Sequence, residues 1–274
     1  MHYCVVNNIG FILNSNDANF SYKNGWQDYF LPFTSEQQCG LNKSYNTRLA
    51  PFTPVRLRDK IGYPIFRYWL KLLNIDYLTW QLLPLARKQN INQIYYSHEF
   101  QMNGTFLGNC SKLSNMVWKF QPAVEKQINQ IQSMISVNEP YIGFHIRRGD
   151  KQKETPFIAV EDYIKKAKET TSIRLAFIAT DDYSVYKQLS NQFTDWKFIT
   201  LSESHDKGYD QISQTRKSKI QIRDEMIRLF AEIEILRKAE YLFGTFSSNI
   251  SLFLAMHMPA DRCIGVDFKE WRIW

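Results

Sequence analysis

From residue 141 to residue 267 the chain alternates short apolar, β-prone runs with helical patterns, and that alternation restricts the fold more than any other feature. The expected order is strand 141–146, helix 160–168, strand 174–179, helix 183–193, strand 197–200, helix 223–238, strand 241–243, a helix from 249 to 256, and strand 263–267. Strands separated by helices pair as parallel βαβ units with right-handed crossovers. The long helix is expected to bury Met226, Phe230, Ile233 and Leu236 or their neighbours. The expected fold class is α/β, with a Rossmann-like C-terminal domain.

Upstream the pattern is more helical. Phe11, Ile12 and Leu13 form a short strand-like patch, and Trp26, Tyr29 and Phe30 recur at helical spacing, which reads as core. Two helices joined at Asn74–Asp76 account for residues 64–88, a strand follows at 93–97, and residues 103–114 read as a loop. Pro122 opens a further helix, which Asn138-Glu139-Pro140 stops. The boundary is accordingly expected near 136–140, with an N-terminal domain over 1–138 and a C-terminal one over 139–274.

With 274 residues, 44% of them hydrophobic, the chain can bury a substantial core. Its apolar runs stop short of the roughly 18 to 20 residues that cross a bilayer, and its start lacks the pattern of a signal peptide. A cytoplasmic protein or a soluble catalytic domain is expected. The net charge of +7 comes from 34 Lys and Arg spread along the chain, which suits a basic solvated surface as well as an anionic ligand. No basic groove with interleaved aromatics is recognisable, so nucleic acid is not an expected partner. Cys4, Cys39, Cys110 and Cys263 lie too far apart for a Cys-x-x-Cys site and read as free thiols or one disulfide. Asn-x-Ser/Thr triplets start at Asn19, Asn42, Asn103, Asn109 and Asn249, as an Asn-rich chain produces by chance.

Strands of a parallel sheet all open their carboxyl ends on one side, where such sheets hold ligands. Three polar segments therefore converge: His145-Ile-Arg-Arg-Gly-Asp-Lys151, Thr180-Asp-Asp182 and Gly244-Thr-Phe-Ser-Ser-Asn-Ile-Ser251. Arg147 and Arg148 offer planar forks that match phosphate oxygens; one of the pair is expected to face a ligand while the other holds an acid. Lys151 adds a third cation. Thr245, Ser247 and Ser248 supply hydroxyls and backbone N–H groups ahead of a helix, an arrangement that suits a diphosphate or plain helix capping. Asp150, Asp181 and Asp182 sit among these cations, so ion pairs or contacts to ligand hydroxyls are expected of them and no metal is. His145 alone reads more readily as a hydrogen-bonded core residue than as a base.

Those three segments, in that order, resemble the three peptide motifs of the α1,6-fucosyltransferase superfamily, and Asn24-Gly-Trp-Gln-Asp-Tyr-Phe30 is similar to a Gly-Trp-x-x-x-Phe segment of its core enzymes. The resemblance implies a GT-B architecture of two Rossmann-like domains, the N-terminal one reduced here, with GDP-fucose held mainly by the C-terminal one. It implies an inverting transfer of fucose to a glycan hydroxyl without metal or other cofactor, so the expected partners are a nucleotide sugar and a glycan acceptor. By position, Arg147 matches the arginine at the β-phosphate, His145 a residue at the nucleotide, Ser248 the phosphate-side serine and Tyr163 a donor-site tyrosine. Glu154 fills the place of the base, one residue closer to Lys151 than in the core enzymes, and leaves Asp150 as a second acid, structural or catalytic. Glu232 falls where the core enzymes carry an aspartate that contacts guanine. The family's Gly-rich loop near the start of its N-terminal domain has no counterpart, as though the sequence begins after it. Transfer of another sugar, such as xylose from a UDP donor, and a glycan- or nucleotide-binding relic without activity stay open as alternatives.

Overall fold

The computed structural model describes residues 1–16, 18–36, 41–47, 50–135, 139–153, 155–210, 213 and 216–271. They form two compact units, Met1–Lys119 and Phe120–Trp274.

The first unit holds helices α1 (His2–Val6), α2 (Asn42–Tyr45), α3 (Leu57–Leu72), α4 (Thr79–Arg87) and α5 (Phe106–Val117), with a hairpin of β1 (Ile94–Ser97) and β2 (Met102–Thr105). This antiparallel pair is its only sheet among the described residues, which is how far the N-terminal reduction goes. Phe11–Leu13 forms no strand; Leu13 makes one isolated bridge to Glu36. Residues 103–114, expected as a loop, are instead the end of β2 and most of α5. Thr105 caps that helix by accepting from the Gly108 N–H at 3.3 Å. Buried Asn109 donates its amide to the carbonyls of Tyr95 and Gly104 at 3.0 and 3.1 Å, so one Asn-x-Ser triplet is structural.

The aromatics of the Gly-Trp segment are core, as their spacing predicts. Tyr29 and Phe30 are buried, Trp26 stacks on Phe30 with ring centroids 4.2 Å apart, and Phe30 meets Trp118. A short 3-10 turn, Gly25–Asp28, sets them. Its buried Asp28 carboxylate accepts backbone N–H groups from Tyr22, Lys23, Asn24 and Gly25, tying the turn into one ring of hydrogen bonds. Cys4, Cys110 and Cys263 are free thiols, and Cys39 lies outside the described residues.

The second unit opens with α6 (Pro122–Met134), then alternates β3 (Ile142–Ile146), α7 (Val160–Thr170), β4 (Leu175–Thr180), α8 (Tyr183–Gln192), β5 (Lys197–Thr200), α9 (Lys219–Arg237), β6 (Leu242–Gly244), α10 (Asn249–Ala255) and β7 (Cys263–Gly265). The order of elements agrees with the sequence expectation, with ends shifted by up to a few residues. Helix α6, which precedes the boundary expected from sequence, packs against α9 of this unit. The sheet order is β5-β4-β3-β6-β7, and every pair is parallel.

Strand β3 is central and buried on both faces, which accounts for its unbroken apolar run. Ile142, Phe144 and Ile146 face a cluster with Val160, Tyr163 and Ile164 of α7 and Val185 and Leu189 of α8. Gly143 and His145 face the other side, toward α9 and α10. A Cβ at Gly143 would stand 2.6 Å from the Leu236 side chain, so α9 can approach the sheet only over a glycine. The register pairs His145 with Ala179 and with Gly244, which brings the ends of β4, β3 and β6 level at one edge.

Candidate functional site

The site is built at the carboxyl ends of the parallel strands, and all five contribute. Arg147 leaves β3 and its guanidinium is fixed on three sides. Nη1 donates to Asp181 Oδ2 at 2.6 Å, Nη2 donates to Asp150 Oδ1 at 2.9 Å, and the guanidinium lies 4.5 Å from the Tyr209 ring centroid. Asp181, just past the end of β4, also accepts the backbone N–H of Arg148 at 2.7 Å and of Tyr209 at 2.8 Å. Tyr209 closes the circuit by accepting the Asp150 N–H at 2.8 Å. The crossing of the two loops is so close that only glycine serves: Gly149 and Gly208 have φ of +57° and +91°, and Gly208 would place a Cβ 2.7 Å from the Gly149 Cα.

From sequence, one arginine is expected to hold an acid while the other faces a ligand. Arg147 is the one held by acids. Arg148 donates to the Ile158 carbonyl at 3.0 Å and lies over the Phe157 ring at 4.9 Å, and it has no carboxylate partner among the described residues. Two of the five N–H groups of the Arg147 guanidinium go to Asp181 and Asp150, and a single one of Arg148's goes to Ile158. Both arginines are half-buried. Lys151 lies in the 3-10 turn Gly149–Lys153 that carries Asp150 around the same loop. Glu154 lies outside the described residues.

Behind the loops, His145 is buried with Nδ1 2.7 Å from the Oγ of fully buried Ser251 on α10. Burial, with the positive charge of Arg147 second, lowers its pKa to about 3. It is therefore a neutral imidazole at physiological pH, and the hydrogen-bonded core reading describes it. Gly244 is a glycine because a Cβ there would collide with the Ser251 hydroxyl.

Two further motif residues have structural partners. Tyr163, expected at the donor site, is 1% exposed inside the core and edge-on to Phe144. Burial pushes its phenol up from the ordinary value. Asp182 caps α8, accepting the Ser184 N–H at 2.9 Å.

The third motif is also arranged differently from expectation. The Ser247 N–H, expected to be open to an anion, donates to the Asp267 carboxylate at 2.9 Å, as does the neighbouring Phe246 N–H at 2.7 Å, and the Ser248 N–H goes to the Thr245 carbonyl at 3.0 Å. What the loop leaves for a ligand is the hydroxyls of Ser247 and Ser248, which have no partner among the described residues. Asp267 follows β7, the fifth strand end, and sequence reasoning passed over it, as it did Tyr209 after β5. The signal that finds both is the rule that found the other three: they follow strands of the same parallel sheet.

Glu232 on α9 is buried, and its carboxylate has no hydrogen bond or ion pair among the described residues. Burial raises its pKa to about 8; the field of Arg228 opposes the rise, and the charges of Asp206 and Asp181 add to it. Arg228 itself is engaged with Asp206 at 3.0 Å and Glu203 at 3.5 Å. A buried acid whose pKa is shifted in this way is a candidate site residue. Two depressions of the unit, of about 420 and 440 Å³, are lined by α7 with Phe193 and by the outer face of α6.

A family model described as alpha-(1,6)-fucosyltransferase N- and catalytic domains matches residues 1–255. Among solved structures, the fold is similar to NodZ alpha-1,6-fucosyltransferase soaked with GDP-fucose, with a TM-score of 0.52 at 13% identity over 94% of this chain and 85% of that one. It is similar to the NodZ fucosyltransferase from Bradyrhizobium, with a TM-score of 0.52 at 12% identity over 94% and 86%. NodZ co-crystallised with GDP gives 0.51 at 12% identity over 94% and 85%. At these identities the structures establish the fold, an α/β glycosyltransferase fold of the GT-B kind, and the family match covers nearly the whole chain. The chain belongs to the alpha-(1,6)-fucosyltransferase family of glycosyltransferases.

Proposed function

We propose that the protein transfers L-fucose from GDP-fucose to a hydroxyl of a glycan, with inversion at the anomeric carbon and without a metal ion. The observation that carries this reading is Arg147, held in one orientation by Asp181, Asp150 and the Tyr209 ring, with N–H groups to spare at the strand ends. A donor fixed before the reaction stabilises charge that develops on the leaving group without reorganising, an effect worth about 10² to 10³ in turnover per donor. Arg147 takes the β-phosphate, Arg148 and Lys151 add positive charge, and the Ser247 and Ser248 hydroxyls donate to phosphate oxygens. Glu232 receives the guanine N–H groups.

Glu154 takes the proton of the acceptor hydroxyl, whose oxygen attacks C1 of the β-linked fucose. The bond from C1 to the β-phosphate oxygen breaks, GDP departs with the electron pair, and an α-linkage remains. In this scheme Asp150 and Asp181 orient Arg147, and the positive charge that a metal supplies elsewhere comes from side chains.

Thermal shift with GDP and with UDP tests the donor: a ligand at 100 times its dissociation constant stabilises by about 2.7 kcal/mol, and the shift is expected with GDP. Incubation with GDP-fucose and a glycan array, with and without a chelator, tests the rest. An α-fucosyl product formed in the presence of chelator is expected. A UDP-selective shift assigns the site to another sugar donor, and GDP binding without transfer to any glycan assigns it to a binding protein.

A further inference from the structure

Helix α3 carries two apolar faces. One closes a small core, where Phe66 and Leu70 pack with Tyr45 and Leu78. The other is bare: Leu57, Ile61, Ile65, Tyr68 and Leu72 are 76, 61, 57, 65 and 63% exposed. At about 100° per residue these five fall within an arc of about 80°, on the side opposite Phe66 and Leu70. A lone exposed apolar side chain is ordinary. A continuous row of five along a helix about 24 Å long marks a contact surface.

The charges around the row select its occupant. Lys60, Arg67 and Lys71 border it on one side and Arg58 on the other, while Asp59, the single acid of the helix, turns to the buried side and lies 3.4 Å from Arg58. Residues 1–119 hold 12 Lys and Arg against 6 Asp and Glu, and residues 120–274 hold 22 against 21, so nearly all of the net +7 belongs to the unit that carries this helix. Two copies of α3 laid face to face would oppose basic borders with no acid to answer them. An anionic bilayer surface accepts both features: the apolar row enters the acyl boundary while Lys and Arg stay among the headgroups. We propose that α3 is an in-plane anchor that docks the protein on membrane surfaces rich in anionic lipid.

Sedimentation of the full chain with phosphatidylcholine vesicles, and with the same vesicles containing a third of phosphatidylserine, tests this. Binding is expected on the phosphatidylserine vesicles, weak on phosphatidylcholine alone, and reduced as salt is raised. Ile61→Gln with Ile65→Gln, and separately Lys60→Glu with Lys71→Glu, each lower partitioning at least about tenfold while the unfolding midpoint stays in place, because all four side chains are exposed. Tyr68→Ser, on the same row, serves if either pair fails to fold. Equal binding to both vesicle types, no binding to either, or binding that none of the variants weakens overturns the proposal. So does a concentration-dependent dimer that Ile61→Gln with Ile65→Gln abolishes while vesicles bind nothing, which assigns the row to a second copy of the chain.

Discussion

Arg147 Nη1 donates to Asp181 Oδ2 at 2.6 Å, joining the ends of two adjacent parallel strands through a single charged contact. Among the described residues Asp181 serves three N–H groups, from Arg147, Arg148 and Tyr209, so its carboxylate holds loops after β3, β4 and β5 together. Asp181→Asn replaces one acceptor oxygen by a donor. Hydrogen bonds to charged groups are worth about 1.5 to 3 kcal/mol, and a loss of about 2 kcal/mol in denaturant titration is expected, with transferase turnover down more than about tenfold because Arg147 loses its orientation. Asp182→Asn is the control. Asn caps a helix as well as Asp does, so stability stays within about 0.5 kcal/mol and turnover is unchanged; a large rise in KM there would assign Asp182 to the donor site.

His145 gives a pH signature. Its folded pKa, about 3, lies below the ordinary 6.5 because burial and Arg147 disfavour the imidazolium. The unfolded chain takes a proton there as pH falls through 6.5 and the folded chain does not. Its contribution is therefore intact above pH 6.5 and is lost toward pH 3, at up to about 1.4 kcal/mol per pH unit. Comparing wild type with His145→Gln in urea titrations at pH 5 and pH 7.5 should show the steeper decline in wild type. The His145 ring resonances should hold their neutral shifts from pH 8 down to pH 5; titration near 6.5 would contradict the burial argument.

Much of this site is legible in the chain because periodicity reports burial. The run from Ile142 to Ile146 shows a strand covered on both faces, and the polar residues directly after it show where the covering ends. What escapes is partnership. Nothing in Arg147-Arg148 tells which guanidinium meets Asp181, since that depends on the pleat and on a loop more than 50 residues away. The Ser247 N–H looks open in sequence, and only the fold shows Asp267 accepting it together with the Phe246 N–H. In the first unit, Asn103-Gly104 looks like a loop because β2 is too short for its alternation to register, while α5 begins on the residue that follows it.

Gly208 tests the loop crossing itself. With φ of +91° and the Gly149 Cα standing 2.7 Å from the place a Cβ would occupy, Gly208→Ala is both strained and obstructed by backbone. Backbone cannot rotate aside as a side chain can. A destabilisation of about 2 to 4 kcal/mol is expected, from strain of roughly 1 to 3 kcal/mol plus displacement of the Tyr209 segment. Turnover in the folded fraction should fall with it, because the Tyr209 ring beneath Arg147 moves. By contrast Gly10 has nothing within 4 Å of a built Cβ, so Gly10→Ala should leave both readouts unchanged.

Glu232 titrates in the opposite sense to His145. Its folded pKa, about 8, lies above the ordinary 4.5 because burial disfavours the carboxylate. The unfolded chain releases that proton above pH 4.5 while the folded chain keeps it, so the contribution is full below pH 4.5 and declines as pH rises toward 8. Glu232→Gln removes the decline: the variant should be the more stable protein at pH 8 and show little difference at pH 4.5. Binding should report the same proton in reverse. If guanine donates two N–H groups to this residue, the carboxylate is the form that binds, and GDP affinity rises with pH below 8, by up to about tenfold per unit. Glu232→Gln turns one amide donor toward the guanine donors, so it should weaken GDP at pH 8 and flatten that pH dependence. Calorimetry in two buffers of different ionisation enthalpy should find a proton released per GDP bound to wild type near pH 7 and none with Glu232→Gln. Equal proton release in both would remove Glu232 from the nucleotide site and leave its raised pKa a property of burial alone.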